Sequence, residues 1–351
     1  MKPETLHYDE NASCTEMLRG GSRSFFAASR LLSRRVREPA TALYAFCRVA
    51  DDAIDHAPDP ASALADLARR LDAIYAGRPH PFVADQAFAP VVREFGIPRE
   101  LPEALLEGFA WDAAGRRYHT LEQVLDYAAR VAGTVGAMMA LIMGVRAPGT
   151  LARACELGLA MQLTNIARDV GEDARSGRVY LPLDWLEEVG LDTEAWLAEP
   201  HPSPELAEVT RRLLDAAEIC YRRAEVGIAD LPASCRPAMM AARRIYADIG
   251  RQIVSSGCDP VSRRAVVPGR RKLALLFGCL PAVLAQPPVH ERHAAAMPAV
   301  RFLVQAVIEA PAHRRTPASF LERTVAVIEL FERLAERDRA QRRFGGVRAA
   351  R

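Results

Sequence analysis

The stretch Gln162-Leu-Thr-Asn165-Ile-Ala-Arg168-Asp169-Val-Gly-Glu172-Asp173 decides how this chain is read. Positions 162, 165, 169 and 173 step by three, four and four, so on a helix they form one polar stripe. The surrounding residues, Leu157, Leu159, Ala160, Met161, Leu163, Ile166 and Val170, are apolar. A helix with core residues on most sides and one narrow stripe of amide and carboxylate fits a ligand-lined cavity better than a solvent face.

Upstream stands a second acidic constellation, Arg48-Val-Ala-Asp51-Asp52-Ala-Ile-Asp55, flanked by Tyr44, Ala45, Phe46, Cys47, Val49, Ala50 and Ile54. Asp51 and Asp55 are four apart and share a helix face, with β-carbons about 6 Å from each other. Two carboxylates about 5 Å apart repel by about 3 kcal/mol at an effective dielectric of roughly 20. Burying them bare is costly as well. A hard dication such as Mg²⁺ relieves both costs, and it keeps waters and bridges to substrate phosphates. The alternative is two solvated faces, with Arg48 paired to Asp52 and Arg168 to Glu172. Two such motifs, each set in an apolar helix and each accompanied by arginine, favour the metal.

Helical periodicity continues along the chain. Pro39 suits a first helical position for a run from Ala40 to His56, and Leu64, Leu67, Leu71 and Ile74 repeat at helical spacing between Pro60 and Ala76. Further helices are predicted over 82–95, 99–114, 121–145, 149–174, 203–230, 236–256 and 269–285. No alternating strand pattern with an Asn-Gly or Asp-Gly turn and no fixed-period repeat is visible. The fold class is all-α. Pro281, Pro287, Pro288 and Pro298 separate a body, residues 1–285, from a linker and helical extension, 286–351, which holds two amphipathic segments, 299–309 and 317–343, and is expected to pack on or near that body.

The bulk numbers exclude several classes. With 351 residues and 50% hydrophobic content, one large core or two ordinary ones are affordable. A formal net charge of +2 draws no nucleic acid. The polar start, MKPETLHYDENAS, has no apolar signal region. The best spanning candidate, Val131 to Val145, is short and holds Gly133, Gly136 and Gly144. Seven scattered cysteines without a CxxC pair fit a reducing cytoplasm. There is no GxGxxG after a strand and no GxxxxGK[ST], so no nucleotide fold is expected. His290 and His293 lie in the Pro-rich linker with no third ligand type and read as surface residues. The terminal arginines, Arg337 to Arg351, read first as a solvated helix end, with anionic lipid as the alternative.

These residues resemble the squalene and phytoene synthase family of head-to-head prenyltransferases. The matching segments are GSRSF (21–25), ALYAFCRVADDAID (42–55), YAARVAGTVG (127–136), QLTNIARDVGEDARSGRVYLP (162–182) and the RRKLAL stretch from Arg270. Together they span about residues 13–280 in the family's order. The chain departs from the family's pattern at Phe26, Cys258 and Gly269. The resemblance implies an isoprenoid-synthase-type helical bundle around a central cavity. It implies Mg²⁺, with Mn²⁺ able to substitute, on Asp51, Asp52, Asp55, Asn165, Asp169 and Asp173. It places Ser22, Arg23, Ser24, Arg48, Gln162, Asn165, Arg168, Tyr180, Arg271 and Lys272 on substrate, and Tyr44, Tyr127 and Tyr246 with the aspartates in the catalytic set.

The implied reaction joins two geranylgeranyl diphosphates through a cyclopropyl diphosphate to 15-cis-phytoene, with no NADPH expected. The nearest alternative is the farnesyl diphosphate reaction that makes squalene or dehydrosqualene. A non-catalytic helical assembly protein of the same fold would show eroded aspartates, and all five are present. A head-to-tail elongating enzyme would lack the 162–182 block. The product is a long hydrocarbon, so peripheral contact with the inner face of a membrane is expected. The small residues Gly133, Gly136, Ala137, Ala140, Gly158 and Ala160 either line hydrocarbon channels or let helices pack closely.

Overall fold

The computed structural model describes residues 13–21, 23–278 and 295–311, with the side chains of Arg23 and Phe277 left aside. The chain divides into a body reaching Pro311 and a C-terminal unit, Ala312–Arg351, which lies outside the described residues. So do the predicted helix 317–343, His290, His293 and the terminal arginines.

Every regular element among the described residues is helical. In chain order they are α1 (Cys14–Gly21), α2 (Arg23–Ser29), α3 (Arg34–Asp55), α4 (Pro60–Tyr75), α5 (Val83–Phe95), α6 (Glu100–Ala113) and α7 (Leu121–Ala128). A π-helical turn, Ala129–Gly133, follows, then α8 (Thr134–Ile142), α9 (Pro148–Arg175), α10 (Leu183–Glu188) and α11 (Thr193–Ala198). The series closes with α12 (Pro204–Ile228), α13 (Arg236–Ser255), α14 (Gly269–Phe277), a 3-10 turn (Pro298–Val300) and α15 (Arg301–Glu309).

Local chemistry sets many of these boundaries. Asp59 and Ser203 cap α4 and α12 through their side chains, each with a proline at the first helical position. Thr120 accepts from Gln123 N while Gln123 Oε1 accepts from His119 N, a reciprocal cap for α7. Gly96 takes the left-handed conformation, φ 55°, that closes α5.

Two boundaries differ from expectation. α3 starts at Arg34 and carries Pro39 inside it. The carbonyl that Pro39 cannot serve belongs to Arg35, an exposed residue that water can reach. The predicted helix 121–145 is broken by the π turn, which hydrophobic spacing does not signal.

α9 runs about 42 Å through the body, by its 28 residues at 1.5 Å rise. α8 and the π turn lie along one side of it, α12 and α13 along another. Two close crossings fix the α8–α9 pair: a β-carbon on Gly136 would strike the Ala154 carbonyl, and one on Gly158 the Ala132 carbonyl. Gly133, Ala137, Ala140 and Ala160 are buried in the packing behind these crossings. The run Leu121–Ile142 is long and apolar enough to cross a bilayer, yet 61% of it is buried inside the body, as a core helix is. α3 faces α9 across a cavity that α2, α6 and α13 help to close.

Candidate active site

The cavity measures about 610 Å³. One lining stripe runs up α3 from Ala40 to Asp51, and another runs along α9 from Thr150 to Arg168. The two helices bring their acidic ends to the same mouth. Asp112, at the end of α6, marks the junction: its charge acts on both Asp51 and Asp173, one from each motif.

Each predicted residue has a definite place. Asp51, Ser24, Tyr44, Arg48, Tyr127, Gln162, Asn165, Arg168, Tyr246 and Lys272 line the cavity. Asp55 stands beside Asp51 and accepts from Arg178 at 3.0 Å. Asp52, one residue round the helix from Asp51, is buried against Arg48 at 2.7 Å and does not line the cavity. Asp55, Asp169, Asp173 and Tyr180 also lie off the lining, as does Arg271, paired at 3.0 Å with Asp248. Ser22 and the side chain of Arg23 lie outside what the structure describes.

The solvated-face pairing holds for Arg48 with Asp52 but not for Arg168. That guanidinium makes a two-point contact with Asp169, at 2.8 and 2.5 Å, leaving Glu172 to Arg264 at 3.3 Å. Arg264 also reaches Asp169 at 2.7 Å. Despite burial, these two arginines hold the Asp169 carboxyl below its ordinary range.

The remaining acids are under strain. Burial, then Asp55, pushes Asp51 up to about 7 against the pull of Arg48. Burial, then Asp169, pushes Asp173 up to about 7. Asp112 rises to about 6 through burial, with the hydroxyls of Tyr180 and Tyr127 holding it lower than burial alone would.

From the sequence Asp112 reads as either cavity lining or half of a local salt bridge, and it lines the cavity; its tyrosine partners, their stacked rings and two arginines were not legible. Asp112 accepts from Tyr127 Oη at 2.8 Å and Tyr180 Oη at 2.7 Å. Tyr180 arrives there because the segment after α9 folds back, with Leu183 N donating to the Tyr118 carbonyl at 2.9 Å. The rings of Tyr127 and Tyr180 stack at 5.2 Å, and Tyr118 packs against both. Arg178 and Arg264 come from irregular segments whose only sequence signal is a basic residue near a helix end. The tyrosine partners of Asp112 sit on other elements, so only the tertiary fold joins them.

The donor set can be tested against a dication. Its atoms are all oxygen, the choice of a hard ion such as Mg²⁺. Asn165 Oδ1 is buried at the cavity and accepts no hydrogen bond. After burial, neighbouring carboxylates are the next cause that raises Asp51 and Asp173, and a cation between the helices would offset both. Among the described residues, no three acidic, histidine or cysteine side chains already converge into a closed cage. The residues therefore fit a cation shared with a bound anion better than a resident structural ion. Cys47, beside the first motif, is pushed up to about 12 by burial and has no nucleophilic character.

A chamber walled by helices, with acids and arginines where the two acidic motifs meet and mainly apolar walls beyond, Arg153 excepted, defines a class of enzyme that grips a charged head group and shelters a hydrocarbon tail. The squalene/phytoene synthase profile matches residues 18–271, and the chain belongs to that family, whose members use prenyl diphosphates and generally depend on divalent metal. The phytoene synthase of Cereibacter sphaeroides is 52% identical over 340 residues, covering 93% of this chain and 94% of that protein. The phytoene synthase of Rhodobacter capsulatus is 53% identical over 332 residues, covering 93% and 96%. A crystal structure of a dehydrosqualene synthase in complex with ligand superposes with a TM-score of 0.69 at 29% identity, covering 76% of this chain and 94% of that one.

Proposed function

We propose that this enzyme is a 15-cis-phytoene synthase: it joins two geranylgeranyl diphosphates head to head, through a cyclopropyl diphosphate, and releases two diphosphates without a reductant. The observation that carries the reading is the uneven lining of the cavity: Arg48, Asp51, Asp112, Arg168 and Arg264 gather where the two acidic motifs meet, and the walls beyond are mainly apolar, with Arg153, held by Glu156, the charged exception near the other end of the α9 stripe. The α9 stripe from Arg168 to Thr150 spans 18 residues, roughly 27 Å of helix. A four-isoprene chain has a sixteen-carbon backbone, about 20 Å long when extended with carbon–carbon bonds of about 1.5 Å. That length, with a diphosphate at the mouth, matches the stripe. The naming of close relatives as phytoene synthases supports the same choice.

The chain's own groups divide the work. Arg48, Arg168 and Lys272 line the cavity where a diphosphate would sit and supply positive charge where negative charge builds on leaving. Asp51, Asp55, Asp169 and Asp173, with Asn165, would hold Mg²⁺ or Mn²⁺, whose chemistry there is to offset that same charge. Tyr44, Tyr127 and Tyr246 line the cavity, and their ring faces can accept a developing allylic cation without trapping it. Tyr127 and Tyr180 keep their protons, because burial and Asp112 push both phenols well up, so each remains a donor to that carboxylate. Leu43, Leu105, Leu157, Met139 and Met143 continue the walls and exclude water, which would quench any cation. Work in the cytoplasm, with peripheral docking on the inner membrane face, follows from a C40 hydrocarbon product that must leave into lipid.

Incubation with C15 and C20 diphosphates, with and without NADPH, followed by hydrocarbon identification, tests the proposal. Phytoene from the C20 substrate in both arms is expected. Squalene or dehydrosqualene from the C15 substrate, with the C20 substrate unused, would overturn it.

A further inference from the structure

Residues 295–309 lie C-terminal to the family-defining stretch, yet they are bound tightly to the body. Arg153 and Arg223 both donate to the Ala295 carbonyl, at 3.1 and 2.5 Å. Met297 N donates to Glu156 Oε1 at 3.1 Å, and Arg223 holds the same carboxylate by two hydrogen bonds. Glu156 is fully buried and Arg153 is 3% exposed. A buried ion cluster of this kind is poor evidence of stability, but it fixes register, because each charge has one place to go. Here it sets where the returning chain lands.

The landing site is the back of the π turn. The 3-10 turn Pro298–Val300 packs on α7, the π turn and α9, and Val300 is fully buried. A Leu303 methyl lies 3.2 Å from where a β-carbon on Gly133 would stand, so α15 fills the space that this glycine leaves. Phe302 covers one side of the Arg130 guanidinium at 5.1 Å, while the Trp111 ring lies 4.2 Å from the same group. Trp111 adjoins Asp112, and Arg130 belongs to the π turn that follows Tyr127. A π turn is a rare interruption of an α-helix, met mostly at functional sites, and side chains at such a site keep their place only when packing behind them locks it.

We propose that α15 is a buttress for the catalytic wall, and that Leu303 and Phe302 are positioning residues for Tyr127 and its partner Asp112. The inference rests on the prenyltransferase reading of the site. It adds that an element beyond the family's core sets the alignment of that wall, because a small displacement far from the reacting atoms can cost one or two orders of magnitude in rate.

The test uses the full-length protein. Leu303→Ala should lower kcat about tenfold with KM for the C20 diphosphate within about twofold, and Leu303→Met, which refills the space, should restore most of the rate. Phe302 is 39% exposed, so Phe302→Ala should fold normally and lower kcat in the same direction. A second readout does not depend on turnover. In protein labelled with fluorotryptophan, which has three tryptophans, the Trp111 resonance is assigned by its loss in Trp111→Phe. Both variants should move that resonance and leave those of Trp185 and Trp196 unchanged.

Rates within about twofold of the parent in both variants would overturn the buttress, as would a rate loss in Leu303→Ala that only follows its folded fraction while Phe302→Ala is fully active. If the parent protein converts neither C15 nor C20 diphosphate, it is the underlying reading that fails. The Trp111 resonance then still decides the buttress: movement supports it, and an unmoved signal rejects it.

Discussion

Asp51 and Asp169 occupy matching places on two helices and carry opposite electrostatic burdens. Asp51 is pushed up to about 7 by burial and Asp55, so its folded-state value lies above the unfolded one. Such a carboxyl opposes folding fully above about pH 7, and the penalty fades as the pH falls toward its unfolded value near 4. Asp51→Asn should therefore abolish turnover, by about a hundredfold or more, while stabilising the protein in EDTA at about pH 8. With 40% of the Asp51 side chain exposed, solvent screening limits the gain to about 1 kcal/mol, readable by urea unfolding. Asp169 runs the other way. Arg168 and Arg264 depress it, so its contribution is present above the unfolded value and is lost as the pH falls through the lower folded one. Asp169→Asn should also stop turnover, yet cost about 1–2 kcal/mol at neutral pH by leaving two arginines short of a partner. Equal signs in the two unfolding curves would contradict this assignment. Sequence spacing located both aspartates, but it could not separate them, because Arg264 comes from a loop 95 residues away.

At the scale of elements, α9 was the most legible part of the chain. Gln162 and Asn165 line the cavity as the spacing predicts, but the next lining residue is Arg168 rather than Asp169, and Asp173 lies off the lining, because the arginine pairs of Asp169 are set by the fold and not by the spacing. The π turn was not legible, since one extra residue in a turn leaves apolar spacing almost untouched. The start of α3 was misplaced because Pro39 sits where an exposed carbonyl can be solvated. The glycines between α8 and α9 have both the roles that the sequence left open: Gly136 and Gly158 line the cavity and also permit the crossing. Gly158→Ala would force a β-carbon into the Ala132 backbone and should cost about 2–3 kcal/mol, measured by chemical denaturation. Gly20→Ala is the control. Nothing lies within 4 Å of its β-carbon position in α1, so the change should be neutral or slightly stabilising. A Gly158→Ala protein as stable as the Gly20→Ala control would mean that the backbone at the crossing yields and does not set the effect.

For the molecule as a whole, the chamber couples charge at one end to chain length at the other. EDTA should stop phytoene formation, with Mg²⁺ or Mn²⁺ restoring it; full activity in the chelator would remove the metal from the site. Ala40 lies 1% exposed at the far end of the α3 stripe, so Ala40→Phe should shorten the channel. Product analysis should then show C20 turnover falling at least about tenfold and C15 turnover much less affected, whereas an equal loss on both would place Ala40 off the path of the chain. None of this depth could be read from the sequence, because the lining comes from separate helices whose distances only the fold supplies. The extension was expected to pack on or near the body, but where residues 295–309 land on α9 was hidden, being specified by buried Arg153 and Glu156 holding backbone groups 142 and 141 positions away. The Gly136 and Gly158 crossings also limit how such a chamber can be remodelled. There the wall is peptide backbone pressed on peptide backbone, and no exchange of side chains can thin or recess it. Selection or engineering for another product length must then work away from those two points, through Ala40, Leu43, Leu105 and Met239 or through Met139 and Leu157, where the surface is still made of replaceable parts.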